Sequence, residues 1–308
     1  MAVFDAYCEL EGALAGTVLL DEPMARHTSF HIGGPAALFI ECASIADLSR
    51  SLTVILEHGL SWTVVGKGTN LLVADAGFNG AVLTLGAEFK RFNFPEEEHE
   101  ESLLVAGGGV ILSNLVQSTF KSGYSGLEFA VGIPGTLGGA VYMNAGSAQE
   151  WIGAIVESVT VFQQNGGLKR YERDDLPWRY RCSGIPLGEI VLECELRVKQ
   201  GNPGSIRPKM EASLKRRRRN QPLSQPNAGS IFKNPRDDVS AGGLIDKLGL
   251  KGFQVGGARV SEMHANFIVN KGSATAADVL AIIKKIRERV EEEYGYELQP
   301  EIRFIGFS

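Results

Sequence analysis

Gly126 to Gly146 reads GLEFAVGIPGTLGGAVYMNAG, six glycines in twenty-one positions with Pro134 among them. That density predicts neither an ordinary helix nor an ordinary strand. Glycines at 132, 135, 138 and 139 remove side chains along the backbone, so its N–H groups can lie against a bulky anion such as a diphosphate. A nucleotide cofactor fits that description, and a long surface turn is the alternative. Phe129, Ala130, Val131, Ile133, Leu137, Ala140, Val141 and Met143 interleave the glycines. This apolar setting suits a packed loop better than a solvated one.

The spacing also excludes a fold. A Rossmann fingerprint needs G-x-G-x-x-G between strand and helix, with an acidic residue about 20 positions on. Gly132 to Gly138 reads G-x-x-G-x-x-G instead, and Gly66-Lys-Gly68-Thr-Asn-Leu71 stops one glycine short. A dinucleotide bound here is bound by another architecture.

With 308 residues the chain can bury a sizeable core, in two domains or one large one. A net charge of −5 argues against general nucleic-acid affinity. Cys8, Cys42, Cys182 and Cys194 form no C-x-x-C pair and have no histidine at metal-ligand spacing, so they read as reduced thiols, with no metal site. The N-terminal MAVFDAYCELEG is acidic where a signal peptide is basic, and no run of about 18 apolar residues occurs. A cytoplasmic protein, without membrane insertion, is expected.

Ser44 to Asp47 predicts the start of a helix with the stripe Ile45, Leu48, Leu52, Ile55 and Leu56, closed by Gly59. Trp62–Val65 and Leu71–Val73 read as strands joined by the polar turn Gly66–Asn70, a second phosphate cradle or a plain hairpin turn. Ala81–Leu85 and Leu103–Ala106 read as strands around the acidic tract Glu96–Glu101, expected as a solvated loop. A helix over 112–121 follows, then a hairpin around Asn165-Gly166 (155–162 with 168–171) and a strand over 190–198. Breakers at 200–204 mark a linker, which divides the chain into 1–201 and 202–308. A helix over 205–220 ends in Lys215-Arg-Arg-Arg-Arg219, cations that point in every direction. His264–Asn270 reads as a strand, Thr275 and Asp278 open a helix capped by Gly295, and Glu301–Phe307 reads as a final strand.

Seven motifs in order carry a resemblance: HTSFHIGGPA at 27–36, GKGTN at 66–70, GIPGTLGGAVYMNAG at 132–146, Tyr180-Arg181, PNAGSIFKNP at 226–235, HANFIVN at 264–270 and LQPEIRFIGF at 298–307. Together they resemble the UDP-N-acetylenolpyruvoylglucosamine reductases (MurB), flavoenzymes of bacterial peptidoglycan precursor synthesis, over nearly the whole chain. The resemblance implies an α+β fold: a two-lobed FAD-binding domain of the vanillyl-alcohol-oxidase (PCMH) type, followed by a smaller α+β substrate-binding C-terminal domain. It implies noncovalent FAD held by Gly66, Lys67, Gly68, Thr69 and Asn70 and by Gly132, Ile133, Pro134, Gly135, Gly138, Gly139, Ala140, Asn144, Ala145 and Gly146. His27 to Gly34 would help fix the flavin. Tyr180, Lys233, Asn234 and Asn266 would bind the UDP-sugar, and the protein would work as a monomer.

The family passes hydride from NADPH through the flavin to an enolpyruvyl ether, leaving an enolate beside the substrate carboxylate. Arg181 matches the catalytic arginine, and a guanidinium can grip a carboxylate in two-pronged fashion. Its neighbour Arg179 does not align. Ser230 matches the proton donor; a hydroxyl is a weak acid, so Lys233 or Arg181 would have to supply a positive field. Glu301 matches the acidic residue, expected protonated because an ionised carboxylate would repel the substrate's. Two other readings stay open: an oxidase of the same flavin fold acting on alcohols or lactones, and a noncatalytic polyanion binder built around Lys215–Arg219.

Overall fold

The computed structural model describes residues 1–95, 101–147 and 149–307, with Glu101 described by its backbone alone. Residues 96–100 of the expected acidic loop lie outside the described residues; Glu101 opens a strand. The chain forms two compact units that interleave along the sequence: 1–20, 38–66 and 80–215 in one, and 21–37, 67–79 and 216–308 in the other.

In the first unit, helices Ala2–Leu10 (α1) and Ile45–Glu57 (α2) accompany a sheet of order Thr17–Pro23 (β1), Pro35–Cys42 (β2), Phe78–Leu85 (β5) and Trp62–Val64 (β3). Ser44 caps α2 by accepting the Asp47 N–H at 3.1 Å. The buried Asp47 carboxylate accepts the N–H groups of Ala15, Gly16 and Ala43, which fixes the approach to β1. A second sheet runs Leu168–Glu172 (β10), Val156–Phe162 (β9), Ile190–Gln200 (β11), Glu101–Gly107 (β7) and Phe92–Asn93 (β6), with Tyr124–Ser125 (β8) paired to β11. Leu112–Lys121 (α3) and Leu137–Tyr142 (α4) pack with it around Leu104, Leu115, Leu137, Val141 and Val159.

The short α4 corrects the expectation that the glycine-rich stretch excludes a helix. Thr136 caps it, its hydroxyl accepting the Gly139 N–H at 3.3 Å. A Cβ on Gly138 would lie 2.9 Å from the Gly108 carbonyl oxygen, so that glycine is a packing requirement. Its N–H donates to that same oxygen at 2.8 Å and is not available to an anion.

Pro203–Asn220 (α5) buries Ile206 and Met210; Lys215, Arg216, Arg218 and Arg219 are exposed and Arg217 is half-buried. The second unit then holds a sheet of order Asn227–Ser230 (β12), Phe267–Asn270 (β15), Ala258–Val260 (β14) and Gln254–Val255 (β13). Ala241–Lys247 (α6) and Ala276–Tyr294 (α7) share a core with it, built on Ile245, Val260, Ile268, Val279, Ile282 and Val290. A separate parallel pair joins Leu71–Val73 (β4) to Arg303–Ile305 (β16), with Arg303 opposite Leu71. β3 and β4 therefore belong to different sheets, and the Gly66–Asn70 turn is not a hairpin. The final strand is shorter than the expected 301–307, and the expected strand over 264–270 begins only at Phe267. No described helix is long and apolar enough to cross a membrane.

The start of α7 satisfies the amides a helix leaves open. Thr275 Oγ1 accepts the Asp278 N–H at 3.1 Å and Asp278 accepts the Thr275 N–H at 3.0 Å, while Asp75 accepts from Ala276 and Ala277 at 2.7 and 3.0 Å. The N–H groups of Thr275 and Gly257 hold the Asp278 carboxyl below its ordinary value. Its contribution is thus complete above the unfolded carboxylate pKa and lost as pH falls through the lower folded one. Thr275→Ala is expected to cost about 1 kcal/mol in urea unfolding at neutral pH. Asp278→Asn is expected to flatten the acid limb of the stability profile relative to the parent.

Candidate active site

In the first unit, Tyr180 and Arg181 sit on a two-residue turn. Arg179 N–H donates to Cys182 O at 2.8 Å and Cys182 N–H to Arg179 O at 3.0 Å, which leaves Tyr180 and Arg181 at the tip. Arg181 has φ +55, where a side chain other than glycine's costs roughly 1–2 kcal/mol. The strain is held by sequence-distant bonds. Asn144, itself at φ +45 and buried, donates its amide to Arg179 O at 2.9 Å and accepts the Gly153 N–H at 3.0 Å. Arg181 Nη1 donates to Gly146 O at 3.0 Å, and its guanidinium lies 5.0 Å from the Tyr180 ring centroid. Asn144, Gly146, Tyr180 and Arg181 are brought together; Arg179 sits outside the left-handed region.

The glycine loops of this unit meet at Thr136. A Cβ on Gly66 would lie 2.6 Å from Thr136 Oγ1, while one on Gly139 would touch only that oxygen, at 3.5 Å. Gly132 and Gly135 have φ +74 and +120. Among the described residues the N–H groups of Gly132, Gly135 and Thr136 meet no protein acceptor, whereas Ile133 N–H donates to Ala130 O and Ala145 N–H to Ala140 O. Open main-chain donors on bare backbone suit a phosphate anion.

The second unit carries Asn70, Ser230 and Glu301 on three neighbouring segments. Gly68, at φ +58, passes so close to His27 that a Cβ would lie 2.1 Å from its carbonyl oxygen, and Gly68 O accepts the Ser29 N–H at 3.1 Å. Lys67 and Thr69 flank this crossing. Asn70 Nδ2 donates to Glu301 O at 3.1 Å, Arg303 N–H to Asn70 O at 2.9 Å, and Glu301 N–H to Ile231 O at 2.7 Å. Ser230 precedes Ile231 on half-buried backbone, after Gly229 at φ +79, whose N–H is held by Asn227 Oδ1 at 2.9 Å. Asn70 and Glu301, far apart in sequence, are hydrogen-bonded, and the Glu301 N–H bonds the residue that follows Ser230. Lys233 N–H donates to Gln299 O at 2.9 Å, and Asn234 Oδ1 accepts the Ala241 N–H at the start of α6 at 3.1 Å. The buried Asn266 amide bonds Phe232 twice, accepting its N–H at 3.0 Å and donating to its carbonyl at 2.8 Å.

Two family models match the chain. Residues 36–171 match the profile of an FAD binding domain, and residues 221–305 that of the UDP-N-acetylenolpyruvoylglucosamine reductase C-terminal domain. The reductase of Heliobacterium modesticaldum is 46% identical over 95% of this chain and 92% of its own length. The chain belongs to the UDP-N-acetylenolpyruvoylglucosamine reductase family. The reductase of Bacillus subtilis is 39% identical, covering 97% of each chain. The crystal structure of the MurB of Thermus caldophilus superposes with a TM-score of 0.81 at 35% identity, covering 95% of this chain and 99% of that one. A berberine bridge enzyme variant shares the fold at 14% identity, with a TM-score of 0.50 over 65% of this chain.

The motifs of this reductase family did not reveal Thr136, the meeting point of the loops around Gly66 and Gly139; only its place one residue before a short apolar run hinted at a cap. Nor did the sequence reveal the Gly107-Gly108-Gly109 run, whose first two members lie on the carbonyls of Phe89 and Val191. Gly68→Ala is expected to strip flavin colour from the purified protein, because both its φ and the His27 carbonyl forbid a Cβ. Gly12→Ala, at φ +75 with nothing within 4 Å, carries the backbone strain alone and is expected to stay yellow.

Proposed function

We propose that this chain is an FAD-dependent, NADPH-consuming reductase that converts UDP-N-acetylglucosamine enolpyruvate to UDP-N-acetylmuramate, a step in peptidoglycan precursor synthesis. The observation that carries the reading is the ordered pair of matches, a flavin domain followed by the reductase's own C-terminal domain, on one chain. An oxidase of the same flavin fold acting on alcohols or lactones has less support, because the C-terminal match over 221–305 is specific to the reductase.

Bound FAD supplies the hydride, which it receives from NADPH. The open N–H groups of Gly132, Gly135 and Thr136 fit its diphosphate, with Gly66 to Asn70 as the second cradle; Ile133, Pro134, Gly138, Gly139, Ala140 and Asn144 to Gly146 shape the wall beside it. Arg181 binds the substrate carboxylate and stabilises the negative charge that gathers on the adjoining carbon once the double bond has taken up hydride. Ser230 Oγ–H gives its proton to that carbon, helped by the positive field of Lys233. Glu301 donates a hydrogen bond to the carboxylate. Lys233 and Asn234 hold the UDP diphosphate and Tyr180 packs on the sugar nucleotide; Asn266, expected as a ligand of the UDP-sugar, has its buried amide committed to Phe232 and acts by fixing that residue beside Lys233. The flavin-binding role belongs to residues 1–201 and the substrate-binding role to 202–308. We further assign the protein to the cytoplasm, as a monomer without nucleic-acid affinity, serving cell-wall biogenesis and through it cell shape and division.

The test is optical. The yellow protein is expected to bleach with NADPH and regain colour on adding the enolpyruvyl sugar nucleotide. Prompt peroxide formation by the reduced protein in air, without any sugar nucleotide, would favour the oxidase, and a colourless protein with salt-sensitive RNA binding would favour a polyanion binder. Ser230→Ala is expected to leave bleaching by NADPH nearly intact and to slow recovery at least about tenfold. Equal losses in both steps would remove Ser230 from the donor role.

A further inference from the structure

The turn between Val260 and Phe267 carries a histidine to which the proposed chemistry gives no part. His264 is half-buried, its ring meets Phe267 at 64° with centroids 4.9 Å apart, and its Nδ1 accepts the Asn266 N–H at 3.2 Å. On α6, Gly242 comes so close that a Cβ would lie 3.1 Å from His264 Cε1. Asn266 in turn directs every polar group but its own N–H at one segment: Oδ1 and Nδ2 bond Phe232 at 3.0 and 2.8 Å, and its carbonyl accepts the Ile231 N–H at 2.8 Å. Ile231 and Phe232 lie between Ser230 and Lys233. The ring, the Asn266 amide and the backbone of Ile231 and Phe232 thus form one short chain of contacts, with Ser230 and Lys233 at the two ends of that backbone segment.

Accepting the Asn266 N–H requires a neutral imidazole with its proton on Nε2. An imidazolium has an N–H on both nitrogens, so donor would face donor and the Asn266 amide would be left without a partner. We propose that His264 is a positioning residue, which in its neutral form holds Asn266 so that Ser230 and Lys233 keep their places for proton delivery and diphosphate binding. This inference rests on the roles given above to Ser230 and Lys233.

The surroundings favour the neutral form. Burial pushes the His264 imidazole below its ordinary value of 6.5; Lys251 pushes the same way, and Asp246, paired with Lys251 at 2.8 Å, works against them. With the folded pKa depressed, the neutral ring contributes stability that is complete above 6.5 and lost as pH falls through the folded value.

His264→Asn keeps an acceptor near the position of Nδ1, and His264→Leu keeps apolar volume without one. In the full-length flavoprotein at neutral pH, nitrogen NMR is expected to show Nδ1 unprotonated and Nε2 protonated. His264→Leu is expected to slow recovery of the flavin by sugar nucleotide about tenfold while bleaching by NADPH is nearly unchanged, and His264→Asn to restore recovery. The parent is expected to lose recovery rate in an acid step that His264→Asn lacks. Amide exchange at Ile231 and Phe232 should quicken in His264→Leu and not in His264→Asn. A protonated Nδ1, or His264→Leu recovering and exchanging like the parent, overturns the proposal. Should His264→Leu fail to fold, His264→Gln, which shifts the acceptor to the Nε2 position, takes its place with the same expectations. A parent that neither bleaches nor recovers overturns the reductase assignment instead, and the NMR and exchange results still decide whether His264 holds the segment.

Discussion

Main chain passing against main chain, with no room for a Cβ, is the constraint on which this protein depends. Added carbons would lie 2.1 Å from His27 O at Gly68, 1.9 Å from Pro35 O at Gly77, 1.9 Å from Gly77 O at Gly306 and 2.9 Å from Gly108 O at Gly138. Real Cβ atoms do not approach carbonyl oxygens that closely, so each crossing exists only because its residue is glycine. Such crossings bring stretches of main chain distant in sequence into direct contact, and at Gly138 and Gly77 the peptide N–H is itself bonded to a carbonyl, of Gly108 at 2.8 Å and Ala74 at 2.9 Å. The G-x-G-x-x-G spacing of the usual strand-to-helix dinucleotide turn is absent from Gly132–Gly138, and among the described residues the open N–H groups of this stretch are those of Gly132, Gly135 and Thr136.

The second consequence is topological. The parallel pair β4 and β16 sets Asn70 beside Glu301, and the bond from Glu301 N–H to Ile231 O extends that register to Ser230. Segments spread over more than two hundred positions are tied by main-chain hydrogen bonds and the short Asn70 amide, so their spacing does not rely on long side chains holding rotamers. The turn in the first unit uses strain. Arg181 and Asn144 both occupy left-handed backbone, and each stabilises the turn that holds the other through Arg179 O and Gly146 O. Strain kept in place by distant partners pre-organises a guanidinium that a relaxed loop would let swing.

Elements that report on themselves were legible. The stripe of α7, its Thr275 and Asp278 box and its Gly295 cap are local, and the helix runs Ala276–Tyr294 with Gly295 at φ +69. The Asn165-Gly166 hairpin was equally plain, since β9 and β10 pair with Phe162 opposite Leu168. The Gly66–Asn70 turn left two options open, because a short polar turn between two apolar runs has the same sequence whether the strands pair with one another or with distant partners. The density of glycine in 126–146 hid α4 for a related reason: besides its local cap at Thr136, the helix is supported by the Gly108 carbonyl, from outside the local pattern.

The sequence by itself determined the family, the absence of a Rossmann turn and the identity of the side chains with chemistry to offer, because motif order and side-chain type are properties of the chain alone. Only the tertiary structure decided which glycine amides remain open and which bond other backbone, that Arg181 rather than Arg179 occupies the strained position, and that Asn266 and His264 brace the segment between Ser230 and Lys233. The reason is that each of these depends on a hydrogen-bond partner or a steric neighbour supplied by another part of the fold, and no local window of residues contains it.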